Sequence, residues 1–327
     1  MEQASPAKRQ AAQQISQDLG GLPLALDQAG AYLEATGTSL PTYQRIYQQH
    51  RSVILGQRRG PAQDHPEPVT TTWSLSFALV AEQNRAAVEA LRFCSFLAAD
   101  AIPIELFTEG ADELGPLLAP LADDPLAFEQ VIETLRAYSL IERDSANETL
   151  SMHRLVQDIV RDTLEPEIQH TWIERSALAL IATFPKIEAP DWPACERLLP
   201  HALQCIQWLD QARIDSPEAA RLLNQTAYYL DDRARYGDAE PLYRRALAIR
   251  ERVLGGEHPD TAHSLNNLAG LYRVQGRYRD AEPLYRRALE INERVLGVEH
   301  PNTRTVRDNY QELLRLLQAG DQGPDDK

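Results

Sequence analysis

Polar side chains that could contact a ligand recur at a spacing of 42 residues in the second half of the sequence. Aligning the sequence with itself at this shift gives two columns of polar residues: Asn224 with Asn266 and Asp308, and Gln225 with Asn267 and Asn309. A carboxamide donates and accepts hydrogen bonds, so a row of them can pair with the backbone of an extended peptide. The columns therefore suggest a repeated binding surface, although a solvated surface of a short array could carry the same residues.

Patterns typical of catalysis or metal binding are absent from the sequence. The eight histidines form no HExxH motif, and no serine lies in a GxSxG turn. The acidic pair Asp123 and Asp124 precedes a predicted helix, where capping explains it. There is no GxxxxGK[ST] loop, whose backbone amides would cradle phosphates. We therefore expect no catalytic residue, no metal site and no enzymatic activity from this chain.

A duplicated segment predicts how the polar columns are positioned. Residues 238–261 and 280–303 are identical at 20 of 24 positions. A fixed period of this size predicts a stacked array, in which each unit needs its neighbour to cover its apolar face. Within one period, the apolar spacing predicts helices at about 258–275 and 279–296, with a turn at Gly276 between them.

The residues between these two helices resemble a known family. Small residues at Ala269, Ala281 and Ala288 allow the helices to approach closely, and Tyr285 fills the space between them. This series and the LGxEHPxT connection, at 254–261 and again at 296–303, resemble the tetratricopeptide repeats in their 42-residue, kinesin-light-chain variety. The resemblance implies an α-solenoid whose first helices line a concave face.

On that concave face, polar side chains would meet a protein or peptide partner. The array is expected to begin with a weaker repeat at Ser216 and Pro217 and to end with a capping helix. The candidate partner-binding residues are His263, Asn266, Asn267, Arg273, Asn224, Gln225 and Asn309.

Two motifs mark the first half of the chain. The string GGLPLALDQAGAYL, residues 20–33, predicts a helix that starts near Pro23. Further on, apolar spacing predicts a helix at about 125–138, followed by a short hairpin with its turn near Ala146 and then the helix of MHRLVQ. The order helix, hairpin, helix predicts a winged helix.

Taken together, GLPLAL, the winged helix and MHRLVQ resemble the corresponding part of NB-ARC proteins, the nucleotide-switched STAND ATPases. The resemblance implies that Pro23 packs near adenine and that His153 contacts the ADP β-phosphate, although Arg154 stands where the family motif has aspartate. ADP or ATP is thus implied for the complete family architecture. No cofactor is expected for this chain alone, because the phosphate cradle is missing and these two contacts would need a P-loop domain supplied from elsewhere.

Composition limits the partners. The 327 residues carry a net charge of −15, and residues 70–165 contain six arginines and no lysine against 17 acidic residues. Such a surface repels DNA and anionic membranes. No stretch is apolar enough to span a bilayer, and Cys94, Cys195 and Cys205 lie in apolar surroundings that predict small buried side chains. We expect a soluble cytoplasmic protein, without nucleic acid or membrane partners, that forms oligomers only in an activated full-length form.

The sequence favours a non-catalytic sensor and relay module of a STAND-type signalling ATPase. An alternative is one half of a split ADP/ATP-dependent switch, and a weaker one is a DNA-binding winged-helix regulator. A mostly α fold is expected, with an ARC-like helical unit, a winged-helix domain and an α-solenoid. The expected segments are an ARC-like segment at 1–55, a linker at 56–69, a winged helix at 70–170, degenerate hairpins at 171–215, repeats with their cap at 216–319 and a disordered tail at 320–327.

Overall fold

The computed structural model describes residues 6–57, 67–185 and 191–321, and these residues are mostly helical. The expectation of a mostly α fold is thereby confirmed. The chain divides into two compact units, Met1–Ala179 and Leu180–Lys327.

The first unit combines helices with a small sheet. Its helices are α1 (Pro6–Asp18), α2 (Pro23–Thr36), α3 (Leu40–Gln57), α4 (Glu67–Gln83), α5 (Arg85–Ser95), α6 (Glu105–Thr108), α7 (Pro125–Ala137) and α8 (Arg154–Asp162), and α9 (Pro166–Thr183) contains the division between the units. Two short 3-10 helices, Ala111–Leu114 and Ala119–Ala122, precede α7.

Polar side chains cap the first turns of α5 and α7. Asn84 accepts hydrogen bonds from the backbone amides that open α5, and Asp124 accepts one at 3.0 Å from the amide of Ala127. These bonds satisfy amides that have no partner inside the helix. The interpretation of the Asp123–Asp124 pair as a cap is correct for Asp124.

Three short strands form the sheet, in the order β1-β3-β2: β1 (Ile102–Pro103), β2 (Glu142–Asp144) and β3 (Thr149–Ser151). Both pairings are antiparallel. The hairpin turn closes on Asp144, whose Oδ1 accepts from the amides of Ala146 and Asn147 at 2.9 and 3.2 Å. The predicted hairpin is present, and the sheet has an additional strand, β1, which the sequence reading did not anticipate.

Aromatic side chains and one buried amide join the helices around this sheet. Phe93 on α5 packs edge-on against Phe107, with ring centroids 5.1 Å apart, and lies 6.4 Å from the ring of Trp172. Gln157 on α8 donates from Nε2 to the carbonyls of Cys94 and Leu97 at 2.8 and 3.1 Å. These bonds fix the end of α5 against α8, because a buried amide without partners would be costly.

The segment predicted as a linker, 56–69, overlaps the ends of two helices. Helix α3 continues through residue 57, and α4 begins at residue 67. The remaining residues, 58–66, lie outside the described part of the chain. The segment predicted as a tail, 320–327, begins inside α15, which runs through residue 321. Residues 322–327 are not described.

The second unit is an array of helix pairs. Its complete helices are α10 (Trp192–Gln211), α11 (Pro217–Asp232), α12 (Tyr236–Val253), α13 (Pro259–Val274), α14 (Tyr278–Val295) and α15 (Pro301–Asp321). Helix α11 packs along α12 and α13 along α14, and successive pairs pack on each other through α12 with α13 and α14 with α15.

The repeated small and aromatic residues fill the space between paired helices. Ala269, Ala281 and Ala288 are fully buried, and Tyr285 is 1% exposed. Ala288 also belongs to a cluster with Leu265 that joins α13, α14 and α15. Side chains this small let backbones approach closely, so the predicted packing is confirmed.

Histidines and glycines define the connections between repeats. His258 precedes Pro259 and accepts from the amide of Asp260 at 3.1 Å, and His300 accepts in the same way from Asn302 at 3.2 Å. Each histidine therefore caps the helix that follows it. Before the histidines, Gly255 follows α12 with a φ of 94° and Gly297 follows α14 with a φ of 89°, a conformation that ends each helix.

Candidate functional site

A cavity of about 520 Å³ opens among the first helices of successive repeats. Residues from α11, α13 and α15 form most of its wall. Five of the seven predicted partner-binding residues line it: Asn224, His263, Asn266, Asn267 and Asn309. Its volume falls in the range of sites that hold small ligands or short peptide segments.

Four of these carboxamides form a hydrogen-bonded chain across the three helices. Asn309 Nδ2 on α15 donates to Asn266 Oδ1 at 3.0 Å, and Asn266 Nδ2 donates to Asn267 Oδ1 at 3.2 Å. Asn267 Nδ2 in turn donates to Asn224 Oδ1 on α11 at 3.3 Å. Every amide in the chain keeps further donor or acceptor capacity, so the row can bind a ligand without being taken apart.

His263 is the titratable residue on this wall. Part of its side chain is exposed, yet desolvation by the surrounding groove lowers its pKa. The guanidinium of Arg250, whose Nη1 lies 3.4 Å from His263 Nδ1, lowers the pKa further, and the Asp260 carboxylate opposes both effects. The imidazole is therefore neutral near pH 7, like the carboxamides beside it.

The two remaining predicted residues lie elsewhere on the array. Arg273 is half-buried and donates from Nη1 to Glu312 Oε1 at 2.9 Å, so an ion pair within the array already uses it. Gln225 is also half-buried, and its Oε1 has no hydrogen-bond partner among the described residues. Neither residue is part of the cavity wall.

Sequence reasoning missed several residues of the wall. Asn302, Thr305 and Val306 on α15 and Tyr228 on α11 line the cavity, as does Asn292 on the second helix α14. On the capping helix, the repeat alignment predicts Asn309, which matches Asn267. The other wall residues of α15 differ in type from their equivalents in the preceding repeat, so the alignment does not point to them. Asn292 was missed because the second helices were assigned to packing, and it is indeed only 3% exposed.

Pro23 and His153, the residues mapped onto nucleotide contacts, are held by different helices of the first unit. Pro23 is exposed in the first turn of α2, and α2 packs against α4 and α7. His153 is exposed at the start of α8, which packs against α5.

The local role of His153 is to cap a helix. Its Nδ1 accepts from the amide of Leu155 at 3.2 Å, which is the arrangement that His258 and His300 also show. The same ring nitrogen cannot at once accept this bond and donate to a phosphate. The contact that the structure shows for His153 is therefore the cap of α8, and Arg154 next to it is exposed.

Other types of site were also sought in the described residues. No group of three or more His, Cys, Asp or Glu side chains there could hold a metal ion. Cys94, Cys195 and Cys205 are buried and free, as the sequence predicts, and burial raises the pKa of Cys94 to about 12. Within the same residues, no helix has the length and apolar character to cross a membrane.

Comparison with known families divides the sequence much as the fold does. The tetratricopeptide repeat family matches residues 218–294 and 264–321. A family described as a domain of unknown function, DUF7779, matches residues 79–169. The first match covers the asparagines and the histidine of the cavity wall.

Individual proteins are similar to larger parts of the chain. A nucleotide-binding leucine-rich repeat (NLR)-like protein of Hyaloscypha variabilis (strain UAMH 11265 / GT02V1 / F) is 30% identical over 263 residues, which is 76% of this chain. The chain spans 25% of the length of that relative. A crystal structure of BtubC (BKLC) from P. vanneervenii aligns with a TM-score of 0.33 and 16% identity, covering 67% of this chain and 90% of that one.

Proposed function

We propose that this chain is a sensor and relay module without catalytic activity. The chain carries tetratricopeptide repeats and is similar to an NLR-like protein. In this proposal the repeats bind a protein or peptide partner through the carboxamide-lined cavity. The first unit then relays the binding event within a STAND-type signalling protein. Tetratricopeptide repeats are typically interaction modules rather than enzymes, and this supports a role in protein binding.

The observation that carries the proposal is the carboxamide chain. Asn309, Asn266, Asn267 and Asn224 come from three different helices and meet on one wall. A neutral row of donors and acceptors suits a peptide backbone, which offers both groups along its length. The lining contains no Asp or Glu, and His263 and Tyr228 are its titratable groups.

The relay role rests on the segments of the first unit. We propose that residues 1–55 are an ARC-like segment and that residues 70–170 are a winged helix whose wing is the β2–β3 hairpin. We further propose degenerate hairpins at 171–215 and the binding array at 216–319. Three buried free cysteines suit a reducing compartment, so a cytoplasmic location forms part of the proposal.

A double substitution tests the binding role. We expect Asn266→Ala with Asn267→Ala to lower the affinity for peptides selected from a displayed random library by about tenfold. The double change removes two of the four carboxamides and with them all three hydrogen bonds of the chain. Affinity is measured by fluorescence anisotropy of the selected peptides, and folding is followed by thermal unfolding of the same samples.

The matched control replaces two exposed carboxamides outside the cavity, Gln207→Ala with Gln311→Ala. This control should bind like the wild-type protein. If the asparagine variant lost stability in proportion to its loss of binding, the asparagines would be structural. If the two double variants bound equally well, the cavity would not be the binding surface.

A second candidate is a split nucleotide switch. The relative is named as a nucleotide-binding protein, and GLPLAL and MHRLVQ stand in this chain in the order of NB-ARC proteins. In this alternative, a separate P-loop chain supplies the phosphate cradle and His153 approaches the nucleotide through its second ring nitrogen.

Mixing experiments decide this alternative. ADP binding should appear only when a P-loop domain is added, and His153→Ala should then reduce it. His153→Asn is the matched variant, since asparagine keeps a capping group for α8 and removes the imidazole. Equal ADP binding by the wild-type protein and both variants would exclude His153 as a contact.

A further inference from the structure

One buried acceptor on the cavity wall has no partner. Asn292 on α14 is 3% exposed, and its Oδ1 has no hydrogen-bond partner among the described residues. It faces the same cavity as the carboxamide chain. A buried acceptor left without a bond costs free energy that a ligand with a suitable N–H group would recover.

The preceding repeat has a different residue at this position. Arg250 is the equivalent of Asn292 at a shift of 42, and it is 6% exposed. Its Nη1 donates to the Asp260 carbonyl at 2.9 Å and to Ser264 Oγ at 2.8 Å, and it lies 3.4 Å from His263 Nδ1. Three neighbours on α13 thus surround the guanidinium.

The same shift maps those three neighbours onto the cavity. Asp260, His263 and Ser264 correspond to Asn302, Thr305 and Val306. All three of these α15 residues line the cavity. The cavity therefore occupies the space that an arginine side chain would fill if Arg250 were repeated. The shorter Asn292 leaves that space open, and Val306 cannot replace the hydroxyl that Ser264 offers.

We propose that this cavity is a recognition pocket for an arginine side chain on the bound partner. This inference rests on the proposed function and specifies the partner as a basic, extended segment. The guanidinium of the guest donates to Asn292 Oδ1 and reaches the wall that Asn302 and Thr305 provide, as Arg250 reaches the equivalent wall one repeat earlier.

Chemistry favours a guanidinium over other guests. Glutamate would place its oxygens against the Asn292 acceptor, and leucine would leave that acceptor without a bond. Lysine concentrates three donors at one point, whereas arginine spreads five donors over a plane, which suits acceptors from different helices. A neutral glutamine would satisfy Asn292 without filling the length of the arginine-shaped space.

Charge also favours a basic partner. The whole chain has a net charge of −15, which attracts a cationic segment from a distance. On α15, Asp308 takes the position that Asn266 has in the preceding repeat, and it is exposed and adjacent in sequence to the wall residue Asn309. A carboxylate at this position compensates an incoming cation where the preceding repeat has a neutral amide.

A positional-scanning peptide library tests the inference on the full chain. In each sublibrary one position is fixed as Arg, Lys, Gln, Glu or Leu, and the other positions are random. We expect peptides with arginine at one position to bind about tenfold more tightly than those with glutamine or leucine there. Asn292→Leu keeps a side chain of similar size but removes the Oδ1 acceptor, so it should abolish this preference.

Asn292→Arg is the sharper variant, because its own side chain should occupy the cavity as Arg250 does. It should lose the arginine preference and unfold at or above the wild-type temperature. Gln311→Arg is the matched control, since it adds the same charge on an exposed position of α15 outside the cavity. It should keep the preference.

The outcomes separate this inference from the function on which it rests. Peptide binding without a preference for arginine, or with a preference for glutamine, would overturn the inference and leave the binding role in place. A preference that survived Asn292→Arg, or a clear fall in the unfolding temperature of that variant, would also overturn it. If the wild-type protein retained no peptide, both the inference and the proposed function would be wrong.

Discussion

Folding partly buries the carboxylate of Asp231, near the carboxyl end of α11, and this raises the free energy of its charged form. Desolvation raises its pKa from the ordinary value of 3.8 to about 6, and the neighbouring Asp232 adds to this effect. The hydroxyl of Tyr243 and the guanidinium of Arg273 lower the pKa again, but not enough to balance the burial. Replacing the carboxylate with the neutral amide of Asp231→Asn should therefore stabilise the array near neutral pH.

The size of the effect follows from the difference between the two pKa values. A rise from 3.8 to about 6 corresponds to about 3 kcal/mol for a fully buried group. Since Asp231 is half-buried, solvent screening reduces this to about 1 kcal/mol. Because the folded pKa is the higher one, the stabilising contribution of the protonated form is complete below about pH 4 and is lost as the pH rises through about 6.

The assay is urea unfolding followed by far-ultraviolet circular dichroism, at several pH values between about 4 and 7.5. We expect Asp231→Asn to raise the free energy of unfolding by about 1 kcal/mol at about pH 7.5 and to have almost no effect at about pH 4. Asp308→Asn, an exposed aspartate on α15, is the control and should change little. A gain for Asp231→Asn that was the same at every pH would refute the reasoning.

Three further predictions concern the array. In urea unfolding, Leu265→Ala in the buried cluster should lower the free energy of unfolding by about 2–5 kcal/mol. Val274 is 53% exposed, so Val274→Ala should lower it by less than about 0.5 kcal/mol. His258→Ala should cost about 1 kcal/mol in thermal unfolding and His258→Asn much less, because asparagine can cap α13; equal losses would exclude a capping role. Gly297→Ala should destabilise by about 1 kcal/mol at its positive φ, and Gly237→Ala, in a helical turn with free space, should not.

The repeat helices could be predicted closely from the sequence because their signals are local. The predicted spans at 258–275 and 279–296 differ by one residue at each end from Pro259–Val274 and Tyr278–Val295. Apolar residues at helical spacing and a glycine at the turn act over a few positions, so no knowledge of the rest of the fold is needed. The histidine caps could have been found in the same way, since His258 stands directly before Pro259.

Features that depend on distant residues could not be predicted in this way. Strand β1 has only two residues and shows no alternation, and it exists because Leu150 pairs with Ile102 from far along the chain. The cavity wall was predicted only in part, because the asparagines of the first helices repeat in the sequence while Asn292 replaces Arg250. Its unpaired oxygen becomes apparent only when the cavity and the missing donor are seen together.

The sheet of the first unit has a consequence for synthesis on the ribosome. Among the described residues, β1 pairs with β3 alone, so the sheet cannot close around Ile102 until the chain through Ser151 has left the exit tunnel. Closing such a long loop slows folding, whereas each helix pair of the array can form from adjacent residues as soon as it is made. The first unit is therefore made early but completed late, and until then its strand residues stay available to chaperones or to wrong partners.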